Sequence, residues 1–330
     1  MDMTKKERIQ AALAHKEVDR IPLGMWYHLP HVDQDAVALA ETQIQMVSDY
    51  ELDFIKMMPF GNYQAADYGL SCTYYCTPTQ AVFERKFAIE NVEEWGELQS
   101  VPGCFGNHGK VLLAAKEIAR QQKKKGLEIP FVQTIFSPLT IARKLAGDRV
   151  FEDMRKHPDL VHHALKEITK TCINFAAENV NVGVSGFFFA SQCSTYDLMT
   201  EEEYKEFGTQ YDLQILNAIK NDTYFNIIHI HGENTMFDLL SSYPVNAVNW
   251  HDRWVAPNLA QARKRTDKCL MGGINEAWLH KARPEDIKTH IQEAVELAGK
   301  TGFILTPGCC ASMLTPKENF LAVKEAIKSI

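Results

Sequence analysis

Long apolar runs are absent from this chain. No stretch approaches the roughly 18 consecutive apolar residues that cross a bilayer, and the N-terminal MDMTKKERIQ has no apolar segment of the kind that opens a secretory leader. Positive charge is not in excess either. With 42 acidic and 35 basic residues the formal charge is -7, so there is no electrostatic reason to expect nucleic acid or an anionic membrane as partner. Small molecules or another protein are the expected partners. Eight cysteines in 330 residues lack the dense spacing of a disulfide scaffold. They read as free thiols or metal ligands in a reducing compartment, and the expected location is the cytoplasm. No apolar strand opens into a glycine-rich turn, which argues against a dinucleotide-binding sheet. No linker or internal repeat interrupts the chain, and a single domain over residues 1 to 330 is expected.

What is present is a regular alternation. Apolar strands are expected at 21–26, 52–58, 129–136 and 184–190, in the His-bearing run that begins at Tyr224, and at 247–250, 269–274 and 302–306. Helical patterns separate them, several opened by capping boxes such as Thr4 to Glu7, Thr200 to Glu203 and Thr315 to Glu318. Eight strands, each followed by helix, predict an α/β fold of one (β/α)8 TIM barrel. Residues 59 to 102 lack a helical period, and a long loop with a hairpin laid over one end of the fold is expected there.

In such a barrel the active site forms at the C-terminal ends of the strands. The residues expected at those ends are unusually polar, and they supply the candidates. In YFNIIHIHGEN, His229 and His231 share one face of a strand, and Glu233 and Asn234 stand where the backbone leaves it. GFILTPGCC delivers Cys309 in the same way. Two imidazoles and a thiolate make a zinc shell with one position open. Cys310, one residue on, is expected to point away as a small buried hydrophobe. The candidate catalytic residues are His28, Glu233, His251 and Asp252; Asp252 either orients His251 or caps the next helix. The candidate substrate contacts are Trp26, Tyr27, Lys56, Met57, Gln133, Ser191, Asn234, Trp250 and Asn275. Cys72 and Cys76 in SCTYYC read as loop packing, and Cys269 as structural.

The segments ERIQAALAHKEVDRIPLG, FSPLTIARKLAG, GFFFASQCSTYDLMTEEEYKEF and TPGCCASMLTPKEN together resemble the uroporphyrinogen decarboxylase superfamily, over nearly the whole chain. The resemblance implies one of two chemistries: metal-free decarboxylation of uroporphyrinogen, or zinc-dependent methyl transfer between a corrinoid and a small acceptor or donor. The decarboxylases carry an arginine-rich R-Q-A-G-R-Y after the first strand; Met25 to Pro30 here contain no arginine. Lys144 stands where those enzymes have a tyrosine, and Cys309 where they have a late histidine. The methyltransferase branch resembles this chain better. Its zinc motif pairs H-x-C with a late P-G-C; His229 and Cys309 match it, and His231 replaces the middle cysteine. No D-x-H-x-x-G cobalamin signature is present, so the resemblance implies a corrinoid carried by a partner protein, with a methyl ether, methylamine or thiol as the small substrate. The alternatives are a metal-free decarboxylase or lyase on a small carboxylate, with Lys56 or His28 as the cation, and a non-catalytic ligand-binding barrel.

Overall fold

A computed structural model describes residues 2 to 330. Nine strands are assigned in chain order: β1 (Ile55–Lys56), β2 (Ser71–Thr73), β3 (Phe83–Lys86), β4 (Phe131–Phe136), β5 (Gly186–Ser191), β6 (Ile227–Ile230), β7 (Ala247–Trp250), β8 (Cys269–Ile274) and β9 (Phe303–Pro307). Seven of them form one parallel sheet in the order β1-β4-β5-β6-β7-β8-β9. Apart from the β2–β3 hairpin, neighbours in the sheet are neighbours in sequence, so every connection is a crossover carrying helix. All seven strands are buried along their whole length. That is why they read as near-continuous Val, Ile, Leu and Phe runs rather than as alternating patterns. β2 and β3 pair antiparallel as a separate hairpin. A single apolar core extends from Ile9 to Ile327.

The chemistry of the helix ends explains their positions. Thr4, Thr200 and Asn258 close capping boxes, and Pro138, Pro158 and Pro284 open helices at the first turn, where a missing N–H costs nothing. Gly126 and Gly183 end two long helices in the left-handed conformation. The helical pattern over residues 200 to 220 is interrupted by a π-helical turn at Lys205–Thr209.

The expected eighth strand is not a regular one. Residues 21 to 27 make two isolated parallel bridges, Leu23 to Leu305 and Tyr27 to Ala311. Gly24 N donates to Leu305 O and Leu305 N to Pro22 O, both at 2.9 Å, and on the other side Asp53 N donates to Leu23 O at 2.8 Å. A continuous ladder fails here for two reasons. Pro22 has no N–H to give, and the Leu23 N–H is taken by the Asp53 carboxylate at 2.8 Å rather than by a backbone carbonyl. The expected strand over 52–58 is likewise reduced to Ile55–Lys56.

Candidate active site

The C-terminal ends of the strands surround a cavity of about 240 Å³ whose wall includes Trp26, His28, Lys56, Met58, Thr134, Phe136, Lys144, Phe188, His229, His231, Cys309 and Cys310. No Asp or Glu lines it.

His229 comes from β6, and the sheet register sets Asn249 of β7 directly beside it. The Asn249 amide nitrogen donates to the carbonyls of Met271 and Pro307, both at 3.1 Å. Its Oδ1 is therefore the acceptor that meets His229 Nδ1 at 2.7 Å. This arrangement puts the ring proton on Nδ1 and leaves the lone pair on Nε2. Burial, with His231 and His251 close by, holds the His229 pKa well below the usual histidine range. His231, just past the end of β6, is anchored by its N–H to Ser191 O at 3.0 Å, and burial pulls its pKa down to about 4. Both rings are neutral at pH 7, as ligation requires.

The ligand atoms of His229, His231 and Cys309 all lie within 4.8 Å of one another. Cys309 Sγ is 3.9 Å from His231 Nδ1, against about 3.6 Å between the sulfur and nitrogen ligands of a tetrahedral zinc ion. Donor type and spacing both fit zinc.

Cys310 corrects an expectation. It does not point away: its side chain lines the same cavity as Cys309. The reason is that the chain has already left β9, which ends at Pro307, so strand alternation no longer governs direction. A hydrogen bond from the Cys309 thiol, with His28 and Lys56 beside it, lowers the Cys310 pKa, while that same bond and burial raise Cys309. His28 is in turn raised, first by Cys310.

His251 lies beside His231, with Nε2 at 3.1 Å from His231 Nδ1, the nitrogen that also approaches Cys309 Sγ. Its orienting partner is Glu276, whose Oε1 is 2.5 Å from His251 Nδ1 and accepts from Trp254 Nε1 at 3.0 Å. Asp252 does not take either expected part. Both its oxygens accept from the Gly273 N–H at 3.0 Å, and burial pushes its pKa up to about 8. Glu233 is exposed on an outer cleft with His231, His251 and Glu276.

Several expected substrate contacts face elsewhere. Met57 and Gln133 are one residue out of phase with the cavity, which takes Met58 and Thr134 instead. Gln133 Nε2 donates to Asn179 Oδ1 at 2.9 Å. Ser191 Oγ bonds the Tyr204 hydroxyl at 2.8 Å, and Trp250 Nε1 donates to Pro257 O at 2.7 Å. Asn275 Oδ1 accepts from the Ala277 and Trp278 amides, so it caps a turn. Asn234 is exposed and is not part of the cavity wall. Tyr27 stacks on Phe320 and lines a different cleft, with Glu41 and Tyr50. Trp26, His28 and Lys56 do reach the cavity. Sequence reasoning missed Asn249, Glu276, Phe136 and Phe188. Only Asn249 had a signal, as a polar residue inside an apolar strand next to the His-bearing one.

The family model for uroporphyrinogen decarboxylase matches residues 4 to 330. The chain belongs to the uroporphyrinogen decarboxylase family. Within this family it is 21% identical, over 99% of its length and 98% of the relative's, to the methylcobamide:CoM methyltransferase MtbA of Methanosarcina acetivorans. A uroporphyrinogen decarboxylase of Christiangramia forsetii is 24% identical, but over 61% of this chain and 60% of its own. Among solved structures, a methyltransferase from Methanosarcina mazei superposes with a TM-score of 0.85 at 19% identity, covering 99% of both chains. The resemblance to the methyltransferase side of the family therefore holds, and this member of the family is an enzyme. Among the described residues no helix is long and apolar enough to cross a membrane.

Proposed function

We propose that this protein moves a methyl group between a small substrate and a corrinoid carried by a separate protein, with zinc held by His229, His231 and Cys309. The observation that carries the reading is the convergence of three neutral or thiol donors within 4.8 Å at a small cavity. The full-length similarity to a methylcobamide:CoM methyltransferase supports it. Zinc, when bound, supplies a Lewis acid that activates a thiol or polarises a methyl ether. The protein's own groups do the rest. Asn249 holds His229 in the ligating tautomer, Glu276 orients His251, whose Nε2 would have to release His231 Nδ1 for that nitrogen to ligate zinc, and Trp26, Phe136 and Phe188 give the cavity apolar walls in which the substrate would be held. We assign residues 1 to 330 to one domain whose ring of strands closes through residues 21 to 27, which bond to both Leu305 and Asp53, making a (β/α)8 barrel. A cytoplasmic setting suits its eight free thiols.

The metal-free lyase is the second reading, favoured by the buried Lys56 ammonium at the cavity. One experiment separates the two. The protein is mixed with Co(I) corrinoid and a panel of methyl ethers, methylamines and methyl thioethers, and in reverse with methylcobalamin and thiols, while the cobalt absorbance is followed. Methylation or demethylation of cobalt is expected with one class. No cobalt change with any class, together with carbon dioxide release from a carboxylate, would replace this reading with the lyase.

A further inference from the structure

His231, Cys309 and Cys310 border two recesses at once. On one side is the strand-end cavity; on the other is an outer cleft of about 450 Å³, built from the loops that follow β6, β7, β8 and β9. Gly232, at φ 113°, turns the chain so that Glu233 lines this cleft beside His231. The loop after β7 brings His251 and Trp254, and the loop after β8 brings Glu276 and His280. Among the described residues no lysine or arginine lines the cleft. Arg253, next to Trp254 in sequence, is engaged by Glu293 at 3.1 Å and by His290 at 3.2 Å. Three of the lining side chains lack a counterpart. Glu233 is exposed and, among the described residues, makes no ion pair within 4.0 Å and no hydrogen bond. Glu276 is only 6% exposed; its Oε1 takes both local donors, His251 Nδ1 and Trp254 Nε1, and its Oε2 has none. Trp254 packs against the His251 ring, with centroids 4.5 Å apart, yet remains 45% exposed. A buried carboxylate oxygen without a donor is costly. An open indole beside two carboxylates attracts an organic cation, because the ring face favours positive charge and the carboxylates add Coulomb attraction and hydrogen-bond acceptors.

We infer that the outer cleft binds a protonated amine, and that the small substrate carries this ammonium as the handle by which it is recognised. Trp254 and Glu233 hold the handle at the outer end, and Glu276 supplies the buried negative charge behind it. The methyl-bearing end then reaches the partition formed by His231 and Cys309. The inference rests on the methyl-transfer reading for what happens to that methyl group, but not for the ammonium site itself. Trp254 and Glu233 are specificity-determining residues: they select for charge at a distance from the reacting atoms. A cation–π contact and one solvent-exposed ion pair together favour a cation over a neutral molecule of the same shape by about fivefold to tenfold.

The test is binding, read by ligand-observed NMR titration of the full-length protein at pH 7 with two probes that differ in charge and little in shape, methoxyethylamine and methoxyethanol. The amine should bind about fivefold or more tighter than the alcohol. Glu233→Gln and Trp254→Leu should each reduce that preference by about threefold, and circular dichroism should show the fold of both variants intact, since each replaces a side chain that reaches solvent. Trp254→Phe also loses the Nε1 bond to Glu276 but keeps a ring face, so it should retain part of the preference. Equal affinity for the two probes, no measurable binding of the amine, a preference that survives in the Glu233→Gln, Trp254→Leu double variant, or a loss in Trp254→Phe as complete as in Trp254→Leu overturns the inference. A preference for the amine without any change at cobalt leaves the ammonium site standing and removes the methyl-transfer reading. Methyl transfer at cobalt with no such preference does the reverse.

Discussion

His229 can serve a metal only as a neutral ring with one nitrogen free, and Asn249 enforces that state because its amide protons are already committed to two backbone carbonyls. Replacing it by Leu frees the ring to rotate and to change tautomer. Asn249→Leu should weaken zinc affinity by about 10–100-fold, read by competition with a chromophoric zinc indicator, and an unchanged affinity would show that His229 is not a ligand. The ligands themselves are tested by Cys309→Ser, which should hold much less zinc than the parent. Equal zinc in both, or none in either, removes the metal from the mechanism. At this scale strand alternation tells which residues share a face but not which face meets the cavity, and so Gln133, Ser191 and Trp250, all within strands, turn to other partners. His229 is placed by its strand, but Glu276 lies two residues beyond β8, in a loop whose path no local pattern sets, so the sequence points to the neighbouring Asp252 rather than to Glu276 as the partner of His251.

The elements raise a different question, since the segment that adjoins both β9 and β1 is not a regular strand. Asp53 holds it: its carboxylate takes the Leu23 N–H and pairs with Arg8 and Arg20, each at 2.6 Å. Asp53→Ala removes the carboxylate shared by Arg8 and Arg20, although Arg8 keeps Asp19, and leaves Arg20 without a carboxylate partner and the Leu23 N–H without its acceptor. It should cost about 3–5 kcal/mol, measured by urea unfolding, whereas a loss below about 1 kcal/mol would mean that the segment is held by its apolar contacts. The helix after the π-helical turn supplies a pH dependence. Asp212 is buried against the hydroxyls of Tyr204 and Tyr243, and burial pushes its pKa up to about 7. In the unfolded chain it titrates near about 4, so the unfolded state loses its proton first. Its favourable contribution is therefore present below about pH 4 and is lost as the pH rises through 7, at no more than about 1.4 kcal/mol per unit. Asp212→Asn should flatten that part of the stability profile. Parallel profiles for variant and parent would mean that Asp212 is ionised in the fold. Element existence was legible because buried parallel strands leave apolar runs; the irregularity of residues 21 to 27 was not, because it depends on where the Asp53 carboxylate spends its hydrogen bonds.

At the scale of the whole molecule, a cavity of about 240 Å³ is too small to hold a corrinoid as well as a substrate, so on the proposed methyl-transfer reading the cobalt would be presented over the strand ends by another protein. Exposed apolar side chains stand on the loops that follow the strands: Phe83, 56% exposed on the hairpin, and Leu314, 66% exposed after β9. The hairpin sits on the cavity side, since Tyr74 packs edge-on against Phe60 and Cys72 neighbours Asn62, the partner of Lys144. A protein partner covering this rim buries both residues, while free cobalamin, entering alone, needs neither. Phe83→Ser and Leu314→Ser should then raise KM for a corrinoid-loaded carrier protein by about tenfold, the size of a modest interface contact, and leave the rate with free methylcobalamin unchanged. If both substrates suffer equally, the variants have damaged the cavity itself. If neither does, the carrier approaches from another side, and in-line transfer would need a path to His229, His231 and Cys309 that avoids the ends of the strands.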